Sequence, residues 1–511
     1  MANIVKRNTV VAAMTESTEN TLIEPSANTD YLPVRPDFEV QIGYENLVNE
    51  ELRSSIGPAK SVQGFEVTSA TIPLYLKPSG TTAEGPDAAR ILKAAFGNEE
   101  NAAAEYDTVS SSAVDTVKVD SGEGASFRRG EALLVQHNDG NAYEIRPIKS
   151  ISTDDLTPLF DLDNAPASGV SLGRATTYYP AQTGHDSLSL WMYLGNGGNI
   201  KAISGARPTS LAIGLTAGQP ITMDVSLEGL SGYANPLIVT SSNKYIEVDE
   251  DSGGDVAVSI EEKAYKDPGQ LAQALEDALN DSSSLSGTYT VTYSHSTGKF
   301  TIAVTSVTTL DISWKTGTTH GADNGDSHIG TLLGFSDSAD DTGALSYEGD
   351  NAIALTAPHT PSYDSTDLIV AKNLRVMLGG TSDNTCFNAQ SVAFNMSLTR
   401  GVVDDICAES GRSSSNITER TASAQVSAVI SQYDVEQFER LRKNTEVGFA
   451  VAFGTKSGNN WVKTKAGCLS ILSGTISEPT LAEVAGLYQL QFTVTAFVDS
   501  NANDEVALSF V

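Results

Sequence analysis

One stretch of the chain has residues whose types and spacing could support hydrolysis. "GVSLG", Gly169 to Gly173, fits the G-x-S-x-G pattern that places a nucleophilic serine, here Ser171, on a sharp turn between a strand and a helix. The residues that follow, "RATTYYPA", favour a strand rather than a helix, and the next histidine, His185, is expected at a strand edge. The context of the elbow is therefore missing, and a serine hydrolase stays only as an alternative hypothesis.

Two further patterns resemble ligand sites and fail in detail. "DEDSGGD", Asp249 to Asp255, resembles part of a calcium loop, but Gly253 stands at a ligand position and Ile260 stands where the bidentate glutamate belongs. "GNGGNI", at 195–200, lacks the last glycine and the helix of a dinucleotide site. The six histidines are scattered without metal-ligand spacing. We therefore expect no cofactor, no metal and no enzymatic activity.

The charge and the cysteines restrict the class of protein. The chain of 511 residues has 32 basic and 64 acidic side chains, a formal charge of -32, which opposes a grip on nucleic acid. Such acidity suits a soluble or salt-adapted surface, or a passage to which DNA must not adhere. Cys386, Cys407 and Cys468 form no CxxC pair, so they indicate neither zinc nor a disulfide framework. No apolar run is long enough for a membrane span, so we expect a soluble chain made in the cytoplasm, with no membrane partner.

The elements that must position any site are mostly strands, and one set of them occurs twice. Forty-three glycines, few aromatic residues and widespread apolar alternation predict a mainly β fold. Residues 38–76 align without a gap with residues 392–430, apolar position on apolar position. The acidic pair Glu50 and Glu51 falls on Asp404 and Asp405. Each copy should therefore form a strand, a long polar loop and a second strand.

The remaining parts of the two copies also correspond. A short helix is predicted from residues 86–97 and another from residues 433–445, and residues 188–230 then parallel residues 447–498 with gaps. Each copy should be a small sandwich or half-barrel of about five strands with one short helix.

Two insertions complete the predicted organisation. Residues 99–178 read as a small barrel-like β module and residues 235–366 as an α+β decoration domain, with a helix in "PGQLAQALEDALND". The predicted boundaries, in chain order, are an N-terminal arm at 1–35, a first duplicated domain at 36–98 and 179–234 around the β module, the decoration domain at 235–366, and a second duplicated domain at 367–511.

"GARPTSLAIGLTAGQPITMDVSLEGL" (205–230) and "RSSSNITERTASAQVSAVISQYDVEQFERL" (412–441) make the two copies resemble the tail tube proteins of long-tailed, siphovirus-like bacteriophages, in a duplicated form. The resemblance covers residues 36–98, 179–234 and 367–511, and it leaves the insertions out. It implies that tube domains join their sheets side by side into a closed β-barrel around a lumen, with six domains per ring. A chain with two such domains would need three copies per ring, and rings would stack into a tube.

The resemblance also implies partners and a location. The chain would be a structural virion protein of the tail, assembled in the host cytoplasm from homotrimeric rings. Tape measure, tail terminator and tail tip proteins would be its other partners, and genomic DNA would pass through the tube without specific binding.

Candidate residues for these roles follow from polar positions within the copies. Lumen-facing candidates are Glu39, Gln41, Glu66, Thr68, Asn395 and Ser397, which alternate with the apolar set. The resemblance implies that the loops with Glu50, Glu51, Asp404 and Asp405 stack one ring on the next. The same residues would equally suit ordinary solvent-facing strands and loops.

The competing hypothesis of another class is an adhesin-like or fibre module that acts through the insertions. It predicts exposed aromatic clusters there, and only Trp314 and scattered tyrosines are available.

Overall fold

The structure, a computed structural model, describes residues 5–51, 56–57, 59–102, 104–137, 143–195, 199–355, 357–383, 386, 388–429, 435–499 and 503–511. Strands account for 50% of the residues and helices for 8%, which confirms the mainly β class. Within these residues no helix is both long and apolar enough to cross a membrane.

The N-terminal region enters the main sheet directly. Its elements are β1 (Val10–Thr15), β2 (Tyr31–Leu32), β3 (Glu39–Leu47), β4 (Val62–Tyr75), α1 (Ala89–Phe96) and β5 (Gly97–Asn101). The predicted arm at 1–35 is therefore shorter than expected, because Val11 and Ala13 alternate into the core while β1 pairs with a later strand. Helix α1 lies within the predicted range 86–97 and ends where Gly97 takes φ 96°.

The first insertion is a small antiparallel sheet with its own apolar cluster. Its strands, in the order β6-β9-β8-β7, are β6 (Val117–Lys118), β7 (Ala132–Gln136), β8 (Tyr143–Ser152) and β9 (Asp155–Pro158). Leu159 and Phe160, just beyond β9, pack in a second cluster with Trp461 and Cys468, so the module rests on the C-terminal half of the chain.

The chain then returns to the main sheet through β10 (Thr176–Pro180), β11 (Leu188–Leu194), β12 (Asn199–Thr216), β13 (Thr222–Gly229) and β14 (Ser231–Ala234). The first half of β12 pairs with β11 and β14, and its second half pairs with β13. The partner changes between Ala206 and Arg207, and a bulge between Pro208 and Ser210 follows, so one long strand belongs to two layers.

The second insertion combines strands with two helices. Its elements are β15 (Leu237–Ile238), β16 (Tyr245–Glu250), β17 (Val256–Ser259), β18 (Ala264–Tyr265), α2 (Pro268–Asn280), β19 (Thr288–Ser294), β20 (Lys299–Thr305), β21 (Leu310–Ile312), α3 (Gly330–Leu333), β22 (Asp341–Ala344) and β23 (Ser346–Glu348). Helix α2 begins as its sequence suggests, with Pro268 in the first turn and the Asp267 carboxylate accepting the Gln270 N–H at 3.0 Å.

The C-terminal half repeats the pairing of the first half. Its elements are β24 (Arg375–Gly379), β25 (Ala389–Asp404), β26 (Arg412–Val429), α4 (Val435–Lys443), β27 (Val447–Ser457), β28 (Asn460–Val484), β29 (Leu487–Ala496) and β30 (Val506–Phe510). The order β3-β4-β13-β12-β11-β1 of the first half recurs as β25-β26-β29-β28-β27-β24.

The agreement between the two halves extends to single residue pairs. Gln41 lies opposite Ser69, and Asn395, 354 positions further on, lies opposite Ser423. Both hairpins have a register shift one residue before the equivalent positions Asn46 and Arg400. A shared register and a shared bulge are stronger evidence of repetition than alternation alone, because a one-residue slip would exchange the two faces of a strand.

Candidate functional site

The two halves join edge to edge into one sheet. The second half of β12 pairs antiparallel with β25, so that Ser210 faces Ser397, Ile213 faces Phe394 and Thr216 faces Ser391. The continuous order of strands is therefore β3-β4-β13-β12-β25-β26-β29-β28. This contact between β12 and β25 is called the internal joint below.

The eight-stranded sheet has one apolar and one polar face. Residues such as Ile72, Ile213, Phe394 and Val426 belong to the main core cluster, which α1 and the outer strands cover. The opposite face is open and consists mostly of small polar residues, namely Glu39, Gln41, Ser69, Thr71, Ser210, Ala212, Gly214, Asp224, Ser226, Glu228, Asn395, Ser397, Ser423, Gln425, Thr475, Ser477, Thr493 and Thr495. These eighteen residues are called the polar face.

The charge on the polar face is negative. Its eighteen residues include three carboxylates, Glu39, Asp224 and Glu228, and no Lys or Arg. Arg207 lies opposite Glu228 in the pairing but is only 8% exposed. Arg35 forms an ion pair with Asp224 from the side. The guanidinium of Arg400 lies 3.6 Å from Glu228, but its side chain is only 3% exposed. The polar face therefore offers hydroxyls, amides and carboxylates to a molecule in front of it, and almost no accessible cation.

The predicted lumen residues do not share one face. Glu39, Gln41, Asn395 and Ser397 are exposed members of the polar face. The prediction for Glu66 and Thr68 is wrong: these side chains are 1% and 2% exposed and lie on the apolar face. Both positions have the same parity along β4 as the buried residues Ala70, Ile72 and Leu74, so the alternation already available in the sequence excludes them from the open side.

Buried Glu66 links three parts of the chain. Its carboxylate accepts the Gly232 N–H at 2.8 Å and lies 2.7 Å from the ammonium of Lys266, which belongs to the second insertion. The same ammonium is 3.5 Å from Glu409, in the loop between β25 and β26. Burial lowers the pKa of Lys266, but the hydrogen bond and charge of Glu66 more than offset this and raise it. Sequence reasoning missed this contact, because Lys266 lies 200 positions from Glu66.

The two outer edges of the sheet are open. Within the described part of the chain, β3 pairs only with β4, and residues 475–484 of β28 pair only with β29. By the repeated pairing, β3 corresponds to β25 and this part of β28 corresponds to the second half of β12. The open edges are therefore the two counterparts of the internal joint, one at each end of the sheet.

Apolar side chains are buried at the internal joint, whereas their counterparts at the open edges are more exposed. Ile213 and Phe394 in the internal joint are 1% and 0% exposed. Leu481, which corresponds to Ile213, is 47% exposed, and Val40, which corresponds to Phe394, is only partly buried. An apolar edge with unpaired N–H and C=O groups favours the addition of another strand.

A scan against protein-family models finds no match to this chain, and a search of curated proteins finds none either.

The predicted stacking loops are placed differently in the two halves. Glu50 and Glu51 are exposed in the loop after β3. Asp404 ends β25 with its side chain 62% exposed, 3.7 Å from the Arg412 guanidinium, and the Asp405 carboxylate accepts the Cys407 N–H at 2.8 Å. Both loops also expose an isoleucine completely, Ile56 in the first and Ile406 in the second.

The loop between β25 and β26 is held by the rest of the chain. The Glu66 N–H donates to Ser410 O at 3.1 Å, and the side chain of Gln270, in the first turn of α2, donates to Glu409 at 2.7 Å. The loop between β25 and β26 therefore contacts both the first half of the chain and the second insertion. The alignment of the two copies does not show these contacts.

The other candidate motifs have structural partners. The Ser171 hydroxyl donates to Asp107 at 2.8 Å, whereas the ring of His185 contacts the carbonyls of Ala94 and Ala181, so the two are not brought together. Burial lowers the pKa of His185. In the acidic turn, Asp251 accepts the Thr308 N–H at 2.8 Å.

A metal site and an exposed Trp314 would each require a specific arrangement of the described residues. Among them, no group of three or more His, Cys, Asp or Glu side chains could hold a metal ion. Trp314, the aromatic residue that the adhesin hypothesis would need at a surface, is 1% exposed.

Proposed function

We propose that this chain is the structural subunit of a phage tail tube, in which copies join through their open sheet edges into closed rings. The observation that carries the proposal is the internal joint. The chain contains this contact once, between β12 and β25, and it also has the two matching edges, β3 and residues 475–484 of β28, that could form the same contact between copies. A contact between two different surfaces of the same chain closes into a ring when the rotation per copy allows it. Closure would leave no open edge.

The internal joint specifies how two copies would meet. Applying its register to the open edges places Ser477 of one copy against Gly43 of the next, and Leu481 against Val40. The chains would run antiparallel there, as β12 and β25 do. The half-exposed Leu481 would then be covered as Ile213 is.

The polar face would line the lumen. The apolar face is covered by α1 and the outer strands, so it is not available to line the lumen. A wall of small polar side chains and carboxylates without accessible cations gives phosphates no anchoring point, and DNA would slide along it. Glu39, Gln41, Asn395 and Ser397 are the predicted residues that keep this role.

The number of strands sets the size of the passage. Three chains with eight strands each give about 24 strands, which at about 4.8 Å between neighbours form a circumference of about 115 Å and a radius of about 18 Å before any tilt of the strands. Six repeated halves per ring would give the trimer pseudo-sixfold symmetry.

Stacking of rings would use the ends of the strands. The loop with Glu50, Glu51 and Ile56 and the loop with Asp404, Asp405 and Ile406 combine acidic groups with a fully exposed isoleucine, which favours contact with another protein surface. The insertions would decorate the tube. Tape measure, terminator and tip proteins would be its partners in the virion tail.

Electron microscopy of the purified protein over a range of concentrations tests the proposal. We expect hollow tubes, or rings of three chains that appear sixfold, with a wall radius near that of about 24 strands. Chains that stay monomeric at every concentration up to the solubility limit would contradict it.

A further inference from the structure

The turn between β12 and β13 in the first half is covered by the segment that precedes β24. Gly218 N–H donates to Ala371 O at 2.9 Å, Ile221 N–H donates to Ile369 O at 2.9 Å, and Ala371 N–H donates to Gln219 O at 2.8 Å. Pro220 and Val370 face each other in an antiparallel bridge. As a result Ile221 is 1% exposed and Ile369 is 4% exposed.

The equivalent turn of the second half, between β28 and β29, lacks such a cover among the described residues. Thr222 pairs with Tyr75 and Gln489 pairs with Val429, which makes Tyr488 the counterpart of Ile221 and Leu487 the counterpart of Pro220. Leu487 is 55% exposed and Tyr488 is 68% exposed. The turn between β12 and β13 is thus buried, and its counterpart between β28 and β29 is exposed.

The repeated pairing also identifies the counterpart of the covering segment. The pair Leu188 and Ala206 corresponds to the pair Val447 and Gly474. Further along the same strands, Val10 opposite Tyr193 therefore corresponds to Arg375 opposite Ala452. The residues before β1 therefore correspond to those before β24, and their sequences agree: "IVKRN" at 4–8 and "IVAKN" at 369–373. Ile4 lies outside the described residues, and Val5, the counterpart of Val370, is 55% exposed.

The N-terminal segment already lies beside an open edge. The ammonium of Lys6 is 5.5 Å from the ring centre of Phe38, at the start of β3. Their counterparts, Ala371 and Val392, line one cavity at the internal joint. Since the segment before β24 crosses that joint to reach the turn of the other half, the segment before β1 is placed to cross from β3 to a neighbouring copy.

We propose that residues 5–8 of one copy cover the turn between β28 and β29 of the next copy, with Val5 against Leu487 and the segment antiparallel to residues 486–488. The proposal rests on the proposed function, since the neighbour must lie across β3. Charge favours the contact, because Lys6 and Arg7 would approach a turn in which exposed Glu483 lies opposite Tyr488. Each joint between copies then consists of paired edges and a covering strand, as the internal joint does.

Disulfide trapping tests the contact directly. In a chain with Cys386→Ser and Cys407→Ser, we introduce Val5→Cys together with Leu487→Cys, because residues directly opposite in an antiparallel bridge are close enough for a disulfide. We expect mild oxidation of assembled protein to link chains into covalent dimers and trimers, and dilute monomer to stay unlinked. The matched control, Val5→Cys with Leu345→Cys in the second insertion, should link neither.

A chain without residues 2–7 gives an independent measurement. Val5 is exposed in the single chain, so the truncated monomer should melt at the wild-type temperature, while the concentration needed for half-assembly rises at least about tenfold. Rings of the Val5→Cys, Leu487→Cys variant that assemble but stay unlinked under oxidation, or truncated chains that assemble at the wild-type concentration, would refute the covering strand and leave the tube proposal intact. Absence of rings from the wild-type protein would refute both.

Discussion

Leu481 is the residue at which the edge-to-edge contact between copies can be tested most sharply. It is 47% exposed in the single chain, and its counterpart Ile213 is 1% exposed in the internal joint. Leu481→Asp would forfeit the burial of roughly half a leucine side chain, about 1 kcal/mol, at each joint between copies. It would also place a carboxylate in an apolar contact, which costs several kcal/mol more, so we expect a loss of about 3–5 kcal/mol per joint.

That loss corresponds to a factor of about 100 to 4,000 in the association constant of each joint. Sedimentation velocity over a concentration series, with electron microscopy of the same samples, would measure it. Leu345→Asp is the matched control, because Leu345 is 40% exposed but lies in the second insertion, away from both edges. Leu481→Asp protein that melts like the wild type and also assembles like the wild type would refute the edge contact.

Three further predictions concern the lumen, the buried ion pair and pH. Asn395→Lys should give tubes that retain duplex DNA at low salt and release it at high salt, whereas Asn395→Gln tubes should retain none in cosedimentation. Lys266→Met should destabilise the chain by about 3–5 kcal/mol in urea unfolding, because it leaves the Glu66 carboxylate buried without a cation, and adding Glu66→Gln should recover most of that loss. Burial and the neighbouring Asp87 carboxylate raise the pKa of Asp364 to about 6. Between the ordinary carboxyl pKa and 6, the folded state therefore binds more protons than the unfolded state. The contribution of Asp364 to stability falls as the pH rises through that window. The Asp364→Asn variant should therefore be about 1–2 kcal/mol more stable than the wild type at neutral pH and no more stable in acid. Urea unfolding at both pH values measures this difference. Equal stability of the two proteins at neutral pH would contradict the raised pKa of Asp364.

Local patterns in the sequence predicted many of the strands and the longer helices, but not β1, which lies within the predicted arm. Period-two alternation identified the strands of both hairpins, and the gapless alignment of 38–76 with 392–430 predicted that they would correspond residue by residue, as the shared register of Gln41 and Asn395 shows. The short helices and the helix of the second insertion were found where apolar residues recur at helical spacing. Glu66 and Thr68 are polar but share the parity of the buried residues along β4, so polarity alone does not predict an outward side chain.

The sequence by itself indicated most of the strands in the two hairpins, the apolar side of each, and that one arrangement occurs twice, because side-chain direction along a strand is a local property that alternates with each residue. Only the tertiary structure decided that β12 pairs with β25, that β1 joins the sheet, that Lys266 neutralises Glu66, and that the turn before β13 is covered while the turn before β29 is bare. Backbone N–H and C=O groups are the same in every strand and do not specify a partner, so the choice of edge depends on how the remaining chain packs, and it is this choice that leaves two matching edges open.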